Sequence, residues 1–178
     1  MTINYQLTTS DFLEYQLYFS SKSELHKKKR FQSRIIVPII YVFLGLFVAR
    51  MEGYIRVGIV FTIIGIIWFA FYPLYSKWRY KRHFQKHVEE NFKNRINQPI
   101  ELEADESSLK AKDLISETTI NGTELKELIE TQKHFFIKLT NDSSLIVPKK
   151  SIENETEFIQ SITDLGAEYI NELNWKWK

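Results

Sequence analysis

Two histidines and a glutamate are spaced so that they could bring three metal ligands to one face of a helix. His83, His87 and Glu90 stand at positions i, i+4 and i+7, and imidazole and carboxylate groups both bind zinc. No further strong ligand is identified, and cationic neighbours such as Lys86 oppose the binding of a metal ion. The sequence therefore predicts a basic helix that contains two histidines, and no metal site.

Acidic residues that could supply paired carboxylates for catalysis cluster in one place. Glu153, Glu155 and Glu157 lie at the start of a predicted helix, where attraction to the helix dipole accounts for them. The chain contains no G-x-S-x-G, H-E-x-x-H, P-loop or dinucleotide-binding glycine pattern. Its lack of cysteine excludes a disulfide scaffold, a thiolate metal site and a cysteine nucleophile. We therefore expect no catalytic residue, no cofactor and no enzymatic activity.

Basic residues are concentrated in two segments that could contact anionic lipid head groups. Residues 22–34 contain six Lys or Arg and one acid, and residues 77–87 contain five Lys or Arg and no acid. Each such residue near a membrane surface contributes roughly 1 kcal/mol of attraction to anionic lipid. A role as anchors of membrane topology alone is an alternative that the sequence leaves open. The candidate head-group contacts are Lys27, Lys28, Lys29, Arg30, Arg79, Lys81 and Arg82.

A smaller cationic pair, Lys149 and Lys150, could form an anion-binding rim on the C-terminal part of the chain. The alternative is the solvated end of a strand. Residues 99–178 carry nine Lys or Arg and sixteen Asp or Glu, and this balance of −7 opposes general binding of phosphate or nucleic acid. The net charge of +2 averages a basic middle and an acidic tail, so nucleic acid is not a predicted partner.

Two apolar runs lie between the basic segments and predict two membrane-spanning helices, at residues 35–50 and 57–75. The first is short for a hydrocarbon core of about 30 Å, but arginines at its ends can extend it by snorkelling. The second is uncharged, and aromatic residues crowd its end, as is typical of a membrane interface. Pro38 is expected in the first turn of its helix, and Pro73 near the end of the other. Two core helices of a soluble protein are the alternative.

A short connection, Arg50–Arg56, joins the two runs and predicts a hairpin. Eleven Lys or Arg flank the outer ends of this hairpin, and only two lie in the connection. The positive-inside rule therefore places both termini in the cytoplasm.

The rest of the chain is predicted to form strands and helices that belong to a small α+β domain. A helix is expected to continue out of the second span to about Ile96, and an amphipathic helix is expected over Thr156–Trp175. The first helix of the chain, from about Thr9, is expected to run on through the basic segment towards the bilayer. The predicted strands are Ile3–Thr8, a strand around Ile100–Leu102, Ser108–Lys112, Leu114–Ile120, and a hairpin of His134–Leu139 with Leu145–Val147; Leu125–Ile129 suits a short helix or a bent strand.

The predicted fold class is thus an α+β membrane protein. It combines a two-helix transmembrane hairpin with a small cytoplasmic β-rich roll that a C-terminal helix closes. A partly open barrel plugged by that helix would resemble a pleckstrin-homology roll. The expected divisions are an N-terminal strand and helix (1–34), the hairpin (35–75), a basic juxtamembrane helix (76–98) and the C-terminal domain (99–178).

The order of these parts resembles the YcxB-like membrane proteins of bacteria, over nearly the whole chain. The most specific match is the strand that ends in Val147–Lys150, followed by Ile152 and a helix containing Phe158. The resemblance implies a bacterial cytoplasmic (inner) membrane and a pleckstrin-homology-like C-terminal domain, and it supplies no activity and no catalytic residue. The other matching segments are Tyr5–Ser23, Glu117–Thr131 and His134–Thr140.

We therefore expect a multi-pass membrane protein with both termini in the cytoplasm. Its expected role is that of a non-enzymatic, membrane-tethered binding or scaffold module. The expected partners are the phospholipid bilayer and an unidentified protein, with self-association into a homo-oligomer left open. The alternative function is immunity or resistance against a membrane-active peptide or toxin, which rests on analogy alone.

Overall fold

The structure, a computed structural model, describes residues 1–114 and 116–177. The chain forms two compact units. Met1–Gln16 and Gln85–Lys176 make up the first, here named the β domain, and Leu17–Phe84 with Trp177 make up the second, here named the hairpin unit. The predicted division at residues 34, 75 and 98 differs from this one, because the N-terminal strand and the end of the long third helix belong to the β domain.

Three helices run through or into the hairpin unit. The second and third helices each contain a stretch that is long and apolar enough to cross a membrane. Only 6% of this stretch is buried in the second helix, and only 17% in the third. A core helix of a soluble protein would bury its apolar residues instead. The two exposed helices therefore suit a membrane protein better than the soluble alternative. The helices are α1 (Thr9–Lys22), α2 (Glu24–Ala49) and α3 (Ile55–Asn91).

Glycines let α2 and α3 approach each other closely. A Cβ atom added to Gly45 would lie 2.7 Å from the backbone oxygen of Gly58, and one added to Gly58 would lie 2.5 Å from the oxygen of Gly45. Small residues at a helix contact permit this packing, which does not depend on burying apolar area from water. The contact and the short connection after Ala49 together make α2 and α3 an antiparallel pair, as the hairpin prediction requires.

Three predictions about the helices need correction. Pro38 lies well inside α2 and not in a first turn, because α2 already begins at Glu24 in the basic segment. The first helix does not run on through that segment, since Ser23 is extended (φ −63°, ψ 122°) and separates α1 from α2. The helix that leaves the second span ends at Asn91 rather than near Ile96.

The β domain contains two four-stranded sheets. Sheet A has the order β1-β2-β3-β4, and sheet B has the order β7-β6-β5-β8. The N-terminal strand β1 pairs antiparallel with β2, so the segments before and after the hairpin form one sheet. The strands are β1 (Thr2–Gln6), β2 (Pro99–Ala104), β3 (Ser108–Lys112), β4 (Glu117–Asn121), β5 (Leu125–Glu130), β6 (His134–Leu139), β7 (Ser144–Pro148) and β8 (Glu168–Asn171).

Alternating apolar residues of both sheets form the core of this domain. In sheet A, Leu102, Leu109 and Ile120 are buried on one face. In sheet B, every residue of β6 except Lys138 is buried, because β6 is a central strand of its sheet. A short helix, α4 (Glu155–Asp164), packs its fully buried Phe158 against Phe135 of β6, with ring centroids 5.0 Å apart.

The closing C-terminal helix is the main error of the fold prediction. The helix over Thr156–Trp175 stops at Asp164, and Gly166 adopts a positive φ of 114° that other residues rarely adopt. The chain then forms β8, which pairs in parallel with β5 at the edge of sheet B. The last regular element of the described chain is therefore a strand, and α4 is the crossover that leads to it.

Most of the strand predictions are confirmed. Ser108–Lys112 is β3, and the β6–β7 hairpin turns where expected, with Asp142 at a positive φ of 63°. Leu125–Ile129 is a bent strand, because its register against β6 shifts between Leu125 and Glu127. The strand expected from Leu114 begins only at Glu117, and Ile115 lies outside the described residues.

Candidate functional site

A cleft of about 880 Å³ opens in the β domain between sheet A and the β6–β7 hairpin. Ile100, Ala111 and Thr118 of sheet A line the cleft, whereas Leu102 and Leu109 of the same sheet are buried in the core. The volume lies within the range of about 300–1,000 Å³ that is typical of small-molecule sites. The cleft is therefore large enough to be a binding site.

Aromatic rings form one wall of the cleft. Phe12 of α1 packs against Phe92, which follows the end of α3, with ring centroids 4.8 Å apart. Tyr15, one turn further along α1, lines the same wall and meets Phe136 edge-on at 5.7 Å. Tyr5 of β1 also lines the cleft and is buried, and this burial raises the pKa of its hydroxyl group. The interior of the cleft is thus mainly apolar and aromatic.

A tight turn after α3 brings two cations to the mouth of the cleft. The backbone N–H of Arg95 donates to the oxygen of Phe92 at 2.8 Å, and that of Asn97 donates to the oxygen of Leu7, also at 2.8 Å. This second bond fixes the turn to the chain just after β1. Lys93 and Arg95 are exposed on the turn and line the cleft.

The lining of the cleft is positively charged, although the C-terminal segment that contributes most of this lining is acidic overall. Lys93, Arg95 and Lys112 line it, and Asp113 is the one acid among its described lining residues. That carboxylate already accepts a hydrogen bond from the backbone N–H of Ser116 at 2.7 Å. Residues 99–178 as a whole carry seven more acids than bases, so this positive rim is a local exception. An apolar interior with a cationic rim suits a ligand that has an apolar part and a negative group.

A buried histidine holds the α1 wall against sheet B. His134 of β6 lies 2.8 Å from Asp11 through Nε2 and 3.3 Å from Glu14 through Nδ1. Asp11 also accepts hydrogen bonds from the backbone and side chain of Thr8, both at 2.7 Å. Burial by itself raises the pKa of Asp11, but the hydrogen bonds from His134 and Thr8 outweigh it and lower the pKa to about 2. The cluster is thus a structural clamp on the helix that carries Phe12 and Tyr15.

A second polar cluster surrounds Lys149 and differs from the anion-binding rim that the sequence indicates. The ammonium group of Lys149 contacts Glu130 and lies 2.7 Å from Glu155, and Tyr169 of β8 donates to Glu130. Burial lowers the pKa of Lys149, but the two carboxylates outweigh it and raise the pKa. Burial raises the pKa of Glu130, and the bonds from Lys149 and Tyr169 lower it. Lys149 therefore neutralises two carboxylates and offers no free charge to an anion. Lys150 is exposed, and its role in an anion-binding rim stays a prediction.

The predicted lipid-contact residues divide into exposed and packed ones. Lys28 and Lys29 are exposed, as are Arg79, Lys81 and Arg82 on α3. Arg30 is packed: it donates to the backbone oxygens of Ser20 and Ser21, at 3.4 and 3.3 Å, and lies 4.8 Å from the ring centroid of Trp177. Lys27 is exposed and pairs with Glu24 at 2.7 Å. The exposed members remain available for head groups, and Arg30 instead ties α2 to its neighbours within the hairpin unit.

The three candidate metal ligands of α3 have other partners. His87 lies 3.0 Å from the side chain of Asn91, and Glu90 pairs with Lys86 at 3.7 Å. His83 packs against Phe84, with ring centroids 5.4 Å apart. Among residues 1–114 and 116–177, no group of three His, Cys, Asp or Glu residues is placed to hold a metal ion.

The cleft itself was not foreseen from the sequence, since its lining comes from separated segments at both ends of the chain. One signal did exist: Lys93 and Arg95 follow the basic helix closely and precede the acidic segment. Comparisons of the chain with protein-family models, with curated proteins and with solved structures found no match.

Proposed function

We propose that this protein is a membrane-tethered, non-enzymatic binding module. In this proposal α2 and the apolar part of α3 cross the bacterial cytoplasmic membrane as a hairpin, and the β domain binds its partner on the cytoplasmic side. The observation that carries the proposal is the contrast between the two units. Only 6% and 17% of the apolar stretches of α2 and α3 are buried, whereas the β domain buries its apolar strand residues and forms a cleft.

The length of α3 supports a helix that begins in the membrane and ends outside it. Its 37 residues extend over about 55 Å, which exceeds the hydrocarbon core of about 30 Å. The basic residues from Lys77 onward occupy the remaining length. Trp68 donates from its indole N–H to the backbone oxygen of Ser33 at 3.2 Å, which places an interfacial type of side chain beside the basic start of α2. The positive-inside rule then favours cytoplasmic termini.

Binding rather than catalysis is proposed because the buried ionisable groups of the β domain serve packing. His134 and Asp11 hold α1, and Lys149 and Glu130 connect β7, β5 and α4. The cleft offers amide, hydroxyl and cationic groups around an apolar interior. Membership of the YcxB-like family belongs to the same proposal, and its support is the order of elements and the motif around Val147–Lys150.

Fractionation followed by cross-linking tests this function. The full chain with a C-terminal tag is cross-linked in native membranes, extracted in detergent, purified through the tag and analysed by mass spectrometry. The proposal predicts that alkaline washing leaves the protein in the membrane and that a stoichiometric partner, protein or lipid, is recovered. Release by alkaline washing would contradict the membrane anchor. Recovery without any partner, together with sensitivity of deletion cells to a membrane-active peptide, would favour the immunity function instead.

A further inference from the structure

We propose that the cleft of the β domain binds a single-chain anionic amphiphile, such as a lysophospholipid with a negatively charged head group. The acyl chain would occupy the aromatic interior beside Phe12, Tyr15 and Phe92. The head group would meet Lys93, Arg95 and Lys112 at the mouth. This inference rests on the proposed binding function and names the class of ligand for its site.

The first argument for this ligand is the distribution of charge. Three cations line a cleft in which the acid among the described lining residues, Asp113, already accepts a bond from Ser116. No ion pair of the described chain involves Lys93, Arg95 or Lys112 within 4.0 Å. Lys138 and Lys149 of the same domain both pair with carboxylates. Exposed cations without ion-pair partners attract an anionic group more strongly than paired ones.

The second argument is the apolar surface that lies behind these cations. Tyr5, Phe12 and Ile120 form a floor of buried apolar side chains, and Leu114 at the mouth is 68% exposed. A free phosphate would meet the cations but leave this surface in contact with water. An acyl chain covers it and gains free energy roughly in proportion to the apolar area buried. The chemistry of the cleft thus favours an amphiphile over a small anion.

Size limits the ligand to a small one. A volume of about 880 Å³ suits one ligand of small-molecule size, and the cleft opens to solvent, so that a ligand can enter through water. Single-chain amphiphiles leave a bilayer far more readily than lipids with two chains, because each buried CH₂ group adds about 0.8 kcal/mol to the membrane affinity. A tethered domain would therefore meet such molecules close to the membrane.

Photo-cross-linking of the full chain tests the proposal. The protein is reconstituted in phosphatidylcholine nanodiscs and irradiated with lysophosphatidylglycerol that carries a diazirine in its acyl chain. Lysophosphatidylcholine with the same diazirine-bearing acyl chain is the matched control probe, because its head group is zwitterionic. We expect the anionic probe to label peptides that contain Tyr15, Phe92 or Leu145, at several times the yield of the zwitterionic probe. Equal labelling by both probes would overturn the assignment of the head group.

Variants of the chain separate a site in the cleft from a general charge effect. Lys93→Gln, Arg95→Gln and Lys112→Gln together should lower labelling of the cleft by about tenfold or more. The control removes three exposed cations outside the cleft, with Lys126→Gln, Lys133→Gln and Lys176→Gln, and should retain the labelling. An equal loss in both triple variants would overturn the site. Thr118→Phe fills the cleft from an exposed strand position that tolerates an aromatic residue, and it should also abolish labelling.

Two further outcomes distinguish the possible failures. Labelling confined to residues 35–75 would overturn the ligand proposal and leave the membrane anchor intact. Displacement of the probe from the cleft by inorganic phosphate, but not by unlabelled lysophosphatidylglycerol, would assign the rim to a free anion and overturn the amphiphile. If residues 35–75 also escape labelling by a diazirine-bearing two-chain phosphatidylcholine in the same nanodiscs, the proposed function fails together with the inference.

Discussion

Asp11 and His134 are separated by 123 residues, yet their side chains meet at 2.8 Å in the buried interior of the β domain. The contact joins a helix that precedes the α2–α3 hairpin to a strand that follows it. It therefore holds together two segments between which the chain leaves the domain and returns. Because α1 carries Phe12 and Tyr15, the same contact also positions the aromatic wall of the cleft.

Breaking this contact should destabilise the β domain. Asp11→Ala or His134→Ala leaves the other group buried without its partner, and each should lower the free energy of unfolding by about 3 kcal/mol. The double variant should lose less than the sum, because the two groups interact directly. Urea unfolding of the detergent-solubilised chain measures these changes, with Glu106→Ala as a control at an exposed position outside this cluster. Additive losses would contradict a direct coupling.

Acid should weaken the same contact. The pKa of Asp11 is lowered from 3.8 to about 2 in the folded protein. Its contribution to stability is therefore complete above the unfolded value and is lost as the pH falls through about 2. The shift corresponds to about 2–3 kcal/mol. The unfolding free energy, measured from about pH 5 to pH 2, should decline less steeply in Asp11→Asn than in the unmodified chain. Parallel curves would show that Asp11 is not the group responsible.

The polar cluster around Lys149 should stabilise the late strand β8. Glu130 of β5 contacts both Lys149 and Tyr169, so it connects the end of β7 to the edge strand. Lys149→Met removes the cation from two carboxylates and should lower stability by about 3 kcal/mol, since it leaves a buried Glu130 unpaired with a cation. Lys150→Met, at the exposed neighbouring position, is the control and should have almost no effect. Urea unfolding of both variants provides the comparison, and equal losses would contradict the structural role.

The glycine contact between α2 and α3 should be intolerant of larger residues. Gly45→Leu or Gly58→Leu forces the backbones apart, because even a Cβ atom would lie 2.5–2.7 Å from a carbonyl oxygen. We expect a loss of at least about 2 kcal/mol from the packing of the hairpin. Ala70→Leu adds similar bulk on an exposed face of α3 and should be tolerated. Proximity of the helices can be followed by disulfide formation between cysteines introduced on α2 and α3. Unchanged cross-linking in Gly58→Leu would contradict the close contact.

Local patterns were sufficient for the elements whose signal lies within a few residues. The alternation in Ser108–Lys112 and the turn residues before Ser144 predicted β3 and the β6–β7 hairpin correctly. The uncharged run after Val57 likewise identified most of the apolar part of α3. Each of these elements depends on periodicity or turn chemistry that a short stretch of sequence displays.

Elements that depend on distant partners were missed. Tyr169 and Ile170 continue the helical spacing of α4, but pairing with β5 makes them a strand once Gly166 has ended the helix. The ion pairs of Lys149 come from residues 19 positions before it and six after it, so its sequence neighbours gave no sign that its charge is neutralised. The cleft likewise depends on distant partners, since its lining comes from both sheets, α1 and the turn after α3.

Accessibility of single cysteines tests the membrane-tethered arrangement most directly, because the natural chain contains none. Glu52→Cys lies in the connection between α2 and α3, and Lys126→Cys is exposed in the β domain. A membrane-impermeant maleimide should label Glu52→Cys in intact cells and Lys126→Cys only after the membrane is permeabilised. Labelling of Lys126→Cys in intact cells would reverse the orientation, and protection of both cysteines until permeabilisation would contradict a hairpin that crosses the membrane.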